Sequence, residues 1–347
     1  MERWIWLGVA GGFSIYQLYY LRQNLGLNYN INQPQVIFSS LGLANWITVL
    51  RAMLLALLAG LALLPRPNGA AAWLPGILYL LAAVMDFVDG WVARVTHRST
   101  RLGEALDMHW DGFGVLVASL ALVRYGQSPA WYVLVGLARY LFIWGLAWRE
   151  RRGLPVFPMQ PSHARRWLAG VQMGFIAAVL LPIFTPPATG FAATLFMLPL
   201  MVSFLRDWLV VSGVIRTGKA QLGSRTPIRS AGWFSLGLPW IARVALVEFV
   251  IFYLLRSLED GSAFNVAWWV MLICAALVLT GLLGRLAALV ILLLTGLLLR
   301  NISPDPLFLI LVALSSIVFM AGTGGLSLWK PEEWLIFHRA GEAHERS

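Results

Sequence analysis

The stretch from Met85 to Gly114 reads MDFVDGWVARVTHRSTRLGEALDMHWDGFG. Asp86, Asp89, Gly90, Ala93 and Arg94 stand at offsets 0, 3, 4, 7 and 8, which places them on one stripe of an α-helix. Gly103, Asp107, Asp111 and Gly114 form one stripe of the next helix. Both stripes carry acids and small residues where lipid contact would select Leu or Val. The polar run from Val95 to Leu102 predicts a turn between them. Two antiparallel helices joined in this way can turn their acidic stripes toward one another. Four carboxylates held together repel, and divalent cations remove the repulsion. An all-oxygen donor set suits Mg²⁺, Mn²⁺ or Ca²⁺ rather than zinc or copper. Such ions can bridge phosphate oxygens during an in-line displacement. Gly90, Ala93 and Gly103 leave room for a flat base and a pyrophosphate to approach the backbone. Solvated loop charges or structural ion pairs would not explain four acids on two such stripes with glycine interleaved.

Outward from this stretch the chain reads as a membrane protein. Of its 347 residues 59% are hydrophobic and only 12% charged, about half the charged share of a soluble domain. Apolar runs near 46–64, 72–94, 107–124, 129–148, 166–185 and 190–213 surround the motif. Four more lie near 237–256, 264–283, 285–300 and 306–323. Several reach the roughly 20 residues that a helix needs to cross a bilayer. Another run, from Trp4 to about Tyr20, ends in Tyr19-Tyr20-Leu21-Arg22 and lacks a small-residue cleavage site. It is expected to remain as a spanning or interfacial helix. Many of the 17 Trp stand near the ends of the runs, as in an aromatic belt. The expected fold is all-α and polytopic, with about ten or eleven transmembrane or interfacial helices.

The net charge is +10, mostly from arginine spread over short loops. Nucleic-acid binding would gather that charge on a soluble domain, so no nucleic-acid partner is expected. Loops with Arg94, Arg98 and Arg101, then Arg149, Arg151, Arg152, Arg165 and Arg166, then Arg216 to Arg229, alternate with loops poorer in cations. The cation-rich set should be cytoplasmic and face anionic lipid headgroups or phosphate-bearing substrates. The single cysteine, Cys274, excludes an intramolecular disulfide and a cysteine-based metal cluster. Four parts are expected: an N-terminal helix and linker (1–40), a bundle holding the motif (41–215), a cytoplasmic linker with Arg216, Lys219, Arg225 and Arg229 (216–236), and a four-helix membrane bundle with a polar tail (237–347). No sequence repeat stands out.

The ordered set Asp86-x2-Asp89-Gly90-x2-Ala93-Arg94-x8-Gly103-x3-Asp107-x3-Asp111 resembles the signature of the CDP-alcohol phosphotransferase, or CDP-alcohol phosphatidyltransferase, family, with every position filled. Upstream, Asn45-Trp46-Ile47-Thr48-Val49-Leu50-Arg51 is similar to the family's Asn-x-Leu-Thr-x-x-Arg opening, with Ile47 in place of Leu and Ala44 in place of a frequent Pro. The resemblance covers roughly residues 40–215 and implies the family's six-helix bundle. It implies that Asp86, Asp89, Asp107 and Asp111 bind a two-metal centre, usually of Mg²⁺, with Mn²⁺ as a substitute. Asp111 would be the base on the acceptor hydroxyl, and Gly90, Ala93, Arg94 and Gly103 would line the CDP site. It further implies a CDP-linked lipid donor such as CDP-diacylglycerol, a polar alcohol acceptor, release of CMP, and a homodimer in the inner membrane with its site facing the cytoplasm. Asn45 and Thr48 admit two readings: nucleotide-phosphate contacts, or caps on the start of their own helix.

The acceptor side is less defined. Arg139 lies in the middle of an apolar helix, where an arginine meets an acid or an anionic ligand. Arg51, Arg149, Arg165 and Arg166 are further candidates for an acceptor or lipid phosphate, since guanidinium matches phosphate geometry. Some phosphatidyl-transferring relatives carry Lys-Thr-x-x-Gln on the following helix. Here Gln172 is kept without the adjacent Lys-Thr, a departure from the glycerol-phosphate pattern, and inositol phosphate, glycerol phosphate, serine or another polar alcohol all stay open as acceptor. Gln172 is otherwise an interhelical hydrogen-bond residue. Arg206 and Asp207 read as a local pair, and His109 points off the acidic stripe. Residues 320–328 resemble the close of small four-helix DoxX-like membrane proteins. A membrane cation transporter with an intramembrane acidic site is the alternative to the enzyme, and the interleaved glycines and cationic loops weigh against it.

Overall fold

The computed structural model describes residues 2–159, 162–215, 234–259, 266–298, 306–322, 324 and 327. Its helices are α1 Glu2–Asn24, α2 Leu43–Ala62, α3 Leu74–Val95, α4 Arg101–Arg124, α5 Val133–Arg151, α6 His163–Leu180, α7 Ala188–Val211, α8 Phe234–Glu259, α9 Val266–Thr280, α10 Gly284–Leu298 and α11 Pro306–Ala321. Among the described residues the only β pairings are two isolated bridges. Leu43–Ala62, Gly69–Val95, Arg101–Arg124, Ala130–Arg151 and Ala188–Val211 are long and apolar enough to cross a membrane. The helices α9, α10 and α11 are apolar but hold 15, 15 and 16 described residues, short of a full span. The fold is an all-α polytopic membrane protein. The linker cations Arg216, Lys219, Arg225 and Arg229 lie outside the described residues, as do Thr323, Gly325, Leu326 and Leu328 of the DoxX-like stretch and the tail 330–347.

The chain divides into two compact units. Among the described residues the first holds 2–183 and 197–208, and the second holds 184–196 and 209 onward. In the first, α2 is the central helix. Alanine at 52, 56 and 59 and glycine at 60 keep its surface thin, and all four are buried. Neighbouring backbones therefore come close: the Trp6 indole lies where a side chain at Gly60 would stand. From α1, Gln17 Nε2 donates to Ala52 O at 2.6 Å and Trp6 Nε1 to Leu57 O at 3.1 Å. The acidic stripes of α3 and α4 do converge, but across α2 rather than by direct packing of the two helices. Both pack mainly on α2 and touch each other little. In this unit α5 packs on α4, and α6 packs on α3 and α4.

The turn between the acidic helices is tighter than the polar run suggested. His97 adopts φ 52°, the left-handed region where glycine is usual. Arg98 N then donates to Ala93 O at 3.0 Å and closes the end of α3. Three residues on, Thr100 caps α4, its Oγ1 accepting from Gly103 N at 2.9 Å. This cap starts α4 at Arg101, six residues before the apolar run at 107. The segment after α1 lies along the turn. Ile31 N donates to Ser99 O at 3.0 Å, and Arg101 N to Tyr29 O at 3.1 Å.

In the second unit α8 to α11 form a four-helix ring, each packing on the next and α11 returning to α8. Two arginines repeat one device there. Arg243 of α8, 5% exposed, donates to the carbonyl of Leu279 at the end of α9. Arg285 of α10 donates to Phe319 O at 2.9 Å and Met320 O at 3.0 Å at the end of α11. Each guanidinium covers carbonyls that a helix end leaves without intrahelical partners. The sequence separations are also alike, 36 residues in one case and 34 and 35 in the other.

Candidate active site

Helices α3 and α4 bring the four expected aspartates to one place on α2. Ligand oxygens of Asp86, Asp89 and Asp107 all lie within 4.8 Å of one another. Asp111 is outside that trio but within reach of the same cation. That cation is Arg51 of α2, whose side chain is 2% exposed. It pairs with Asp86, stands 2.8 Å from Asp107 and 3.3 Å from Asp111, and reaches within 3.8 Å of Asp89. The sequence grouped Arg51 with acceptor-side cations, whereas it sits among the acids. One guanidinium against four carboxylates leaves a formal excess of three negative charges. Hard oxygen donors from two helices, with that excess, fit one or two divalent ions.

Asn45 and Thr48 join the site from the same helix. The capping reading for them does not hold: α2 is preceded by Gly42 and has no side-chain cap. Thr48 Oγ1 donates to the buried Asp89 Oδ2 at 2.8 Å and lies 3.1 Å from Ala44 O. Asn45, also buried, places its amide 3.2 Å from Thr100 Oγ1 and 3.5 Å from Asn28 Oδ1. A Cβ at Gly103 would lie 2.7 Å from Asn45 Oδ1, so glycine there lets α4 start against α2. Above Gly90 the nearest atoms belong to the Arg94 guanidinium, one turn on, at 3.2 Å from a notional Cβ. Ala93 is half-buried on the same helix, and its carbonyl accepts the bond that ends α3. Signals that sequence reading missed are Thr100 and Asn28, polar residues outside the motif that tie the start of α4 and the segment after α1 to α2.

Beside Asp111 a cavity of about 260 Å³ opens, lined by Arg139, Arg165, Gln172, Ser203 and Asp207 at its polar points. Its other walls include Val115, Val135, Met173, Leu200 and Phe204. Arg139 crosses α4 at Gly112, where a Cβ would lie 2.9 Å from Arg139 Cδ. Among the described residues no acid lies within ion-pair reach of Arg139. Arg165 pairs with Asp207 at 2.9 Å. This corrects the expected Arg206–Asp207 pair, because consecutive helical residues point to different faces. Gln172 bonds the Tyr132 hydroxyl at the foot of α5, as its interhelical reading required. Arg149 Nη2 donates to Pro155 O at 2.9 Å and steadies the loop after α5. The backbone N of Arg166 bonds Ser162 O at 3.5 Å. His109 stacks on Tyr20 with centroids 4.2 Å apart and bonds Tyr16 at 3.2 Å, so it serves the packing of α1.

A carboxylate cluster on paired membrane helices, next to a cationic cavity, defines a membrane enzyme built to handle phosphate esters. Comparison with known proteins makes this specific: residues 41–205 match the CDP-alcohol phosphatidyltransferase family and form such a domain. The chain is 29% identical over 184 residues to a CDP-diacylglycerol–glycerol-3-phosphate 3-phosphatidyltransferase of Cereibacter sphaeroides, covering 50% of this chain and 76% of the relative. A Bacillus subtilis protein of the same name is 37% identical over 70 residues, or 20% of this chain and 36% of that one. A Mycobacterium tuberculosis protein provisionally named a cardiolipin synthase is 31% identical over 118 residues, 33% of this chain and 54% of that one. No solved structure matches. The chain thus carries a transferase domain of phospholipid biosynthesis.

Proposed function

We propose that the protein transfers a phosphatidyl group from a CDP-linked lipid, CDP-diacylglycerol in the first instance, to a polar alcohol and releases CMP. The observation that carries this reading is the convergence of Asp86, Asp89 and Asp107 next to Asp111, which borders the cationic cavity. Asp86, Asp89 and Asp107, with Asp111 at the edge, would hold two divalent ions, Mg²⁺ or Mn²⁺. When bound, these ions neutralise the phosphate oxygens and favour departure of CMP. Asn45, Thr48, Gly90, Ala93, Arg94 and Gly103 frame the nucleotide side, with Thr48 fixing Asp89 through its 2.8 Å bond. Asp111 takes the proton from the acceptor hydroxyl, and the resulting oxygen attacks the lipid-side phosphorus. Arg139 binds the acceptor's anionic group in the cavity, with Arg165 at its other polar wall.

The names of the relatives make glycerol phosphate the first acceptor to try, although the missing Lys-Thr pair keeps inositol phosphate beside it. The cation-rich loops orient the site toward the cytoplasm in a bacterial-type inner membrane, and the family resemblance suggests a homodimer. Purified protein with CDP-diacylglycerol, Mg²⁺ and a panel of acceptors should release CMP. In Asp111→Asn the rate should fall about 10²–10⁴-fold, the usual worth of a general base. If no acceptor yields CMP above that variant, the proposal fails. A cation transporter, the alternative, would show no metal-dependent binding of CDP.

A further inference from the structure

Asp111 borders two cavities. One is the acceptor cavity described above. The other, of about 10 Å³, is lined by Arg51, Leu55, Tyr79, Ala82, Ala83, Trp110, Asp111, Gly114, Val115 and Met173. Tyr79 stands on α3 two turns before Asp86, so it extends the acidic stripe into the apolar interior. It is 1% exposed. Among the described residues its hydroxyl has no hydrogen-bond partner, and neither has Nε of Arg51. Two orphaned buried polar atoms are costly, at about 1–3 kcal/mol each. They belong to residues that share one small cavity with a carboxylate. A space of that size admits about one water, which needs two to four polar partners. Tyr79, Arg51 and Asp111 supply three.

We infer that this cavity holds one ordered water, bonded to Tyr79 Oη, Arg51 and Asp111, and that Tyr79 is thereby a positioning residue for Asp111. The water and the tyrosine hold the carboxylate from behind, so that its free oxygen faces the acceptor cavity. The remaining walls, Leu55, Ala82, Ala83 and Met173, are apolar and offer the water no competing partner. Tyr79 itself lines the small cavity and not the acceptor cavity, so it touches neither donor nor acceptor. The inference rests on the reading of Asp111 as the base.

Tyr79→Phe removes only the hydroxyl and keeps the ring that fills the core. With Mg²⁺ and CDP-diacylglycerol, kcat for CMP release should fall about tenfold, the scale expected when a catalytic group is loosened rather than lost. KM for donor and acceptor and the Mg²⁺ midpoint should stay within about twofold. A purely structural hydroxyl predicts the opposite, unchanged kcat with a higher melting temperature as an orphaned group disappears, and that result overturns the inference. So does a fall in kcat accompanied by equal shifts of both KM values and the Mg²⁺ midpoint. A high-resolution map should show density for a water bonded to Tyr79 Oη, and a hydroxyl bonded directly to protein would also overturn the inference. Asp111→Asn separates the two levels. If that variant keeps full CMP release, the base assignment is wrong whatever Tyr79 does. If it is inactive while Tyr79→Phe is normal, the base stands and only the Tyr79 inference falls.

Discussion

Arg51 in the first unit and Arg243 and Arg285 in the second are the same side chain in similar apolar helices, and they do different work. Arg51 lies among four aspartates. Arg243 and Arg285 cover the carbonyl ends of α9 and α11. An arginine within an apolar run therefore marks a polar task without naming it. The partner decides. Carboxylates from two helices, in excess over the cation, form a site with charge left for a ligand. Helix-end carbonyls are neutral acceptors and offer no carboxylate to a metal ion.

The largest effect expected from this contrast is at Arg51. Removing one partner from a buried charge cluster typically costs about 3–5 kcal/mol, so Arg51→Met should strongly lower the melting temperature of the metal-free protein in detergent. Because the variant leaves four carboxylates without their cation, Mg²⁺ should restore far more stability to it than to the wild type. Equal Mg²⁺-induced shifts in the two proteins would show that Arg51 does not stand in for cationic charge at the site. Arg285→Met gives the counterpart. Hydrogen bonds to a charged group are worth about 1.5–3 kcal/mol. The melting temperature should drop by less than for Arg51→Met, Mg²⁺ should not recover it, and CMP release should persist at temperatures where the protein is folded. A Mg²⁺ rescue of Arg285→Met would break the distinction between the two units.

The same contrast explains what the sequence could and could not reveal. The acidic stripes were legible because helical spacing fixes which residues share a face, and no apolar helix accumulates Asp86, Asp89, Asp107 and Asp111 without a task. Helix order followed from the apolar runs. The place of α2 between the acidic helices was not legible, because Ala52, Ala56, Ala59 and Gly60 read equally well as an ordinary lipid-facing surface. Without that place the acidic partners of Arg51 are not visible, and Arg51 reads as a cation for an acceptor or lipid phosphate. Asp207 was paired with its neighbour Arg206 because sequence adjacency is visible and a partner 42 residues away, Arg165, is not. The helix α4 starts at Arg101, two residues inside the run read as a turn, for a related reason: Thr100 sits in that polar run, and hydropathy does not register a cap.

That cap supplies a smaller test within the catalytic unit. Thr100 Oγ1 receives Gly103 N at 2.9 Å and stands 3.2 Å from the Asn45 amide. Thr100→Ala should cost about 1 kcal/mol as a lost N-cap. Since Gly103 and Asn45 are framing residues of the proposed nucleotide side, the donor KM should rise with it while the acceptor KM holds. Thr100→Ser, which keeps the oxygen, should restore both. A stability loss without any change in donor KM would confine Thr100 to helix capping.

The smallest expected effect on stability, and the one that speaks most directly to the acceptor, is at Asp207. Its pair with Arg165 is partly open to solvent, with side chains 28% and 16% exposed, and such pairs contribute no more than about 1 kcal/mol. Asp207→Asn should therefore barely move the melting temperature. Its consequence lies in the cavity, where Asp207 offsets the charge of Arg165 beside Arg139, the cation proposed to face the acceptor. With asparagine the cavity gains one net positive charge, so KM for a phosphorylated acceptor should fall several-fold at low ionic strength and the gain should shrink as salt rises. An uncharged polyol tested in parallel should show no change. If both acceptors respond alike, the cavity does not select its alcohol by charge, and the role given to Arg139 fails while the acidic site and its resident arginine are untouched.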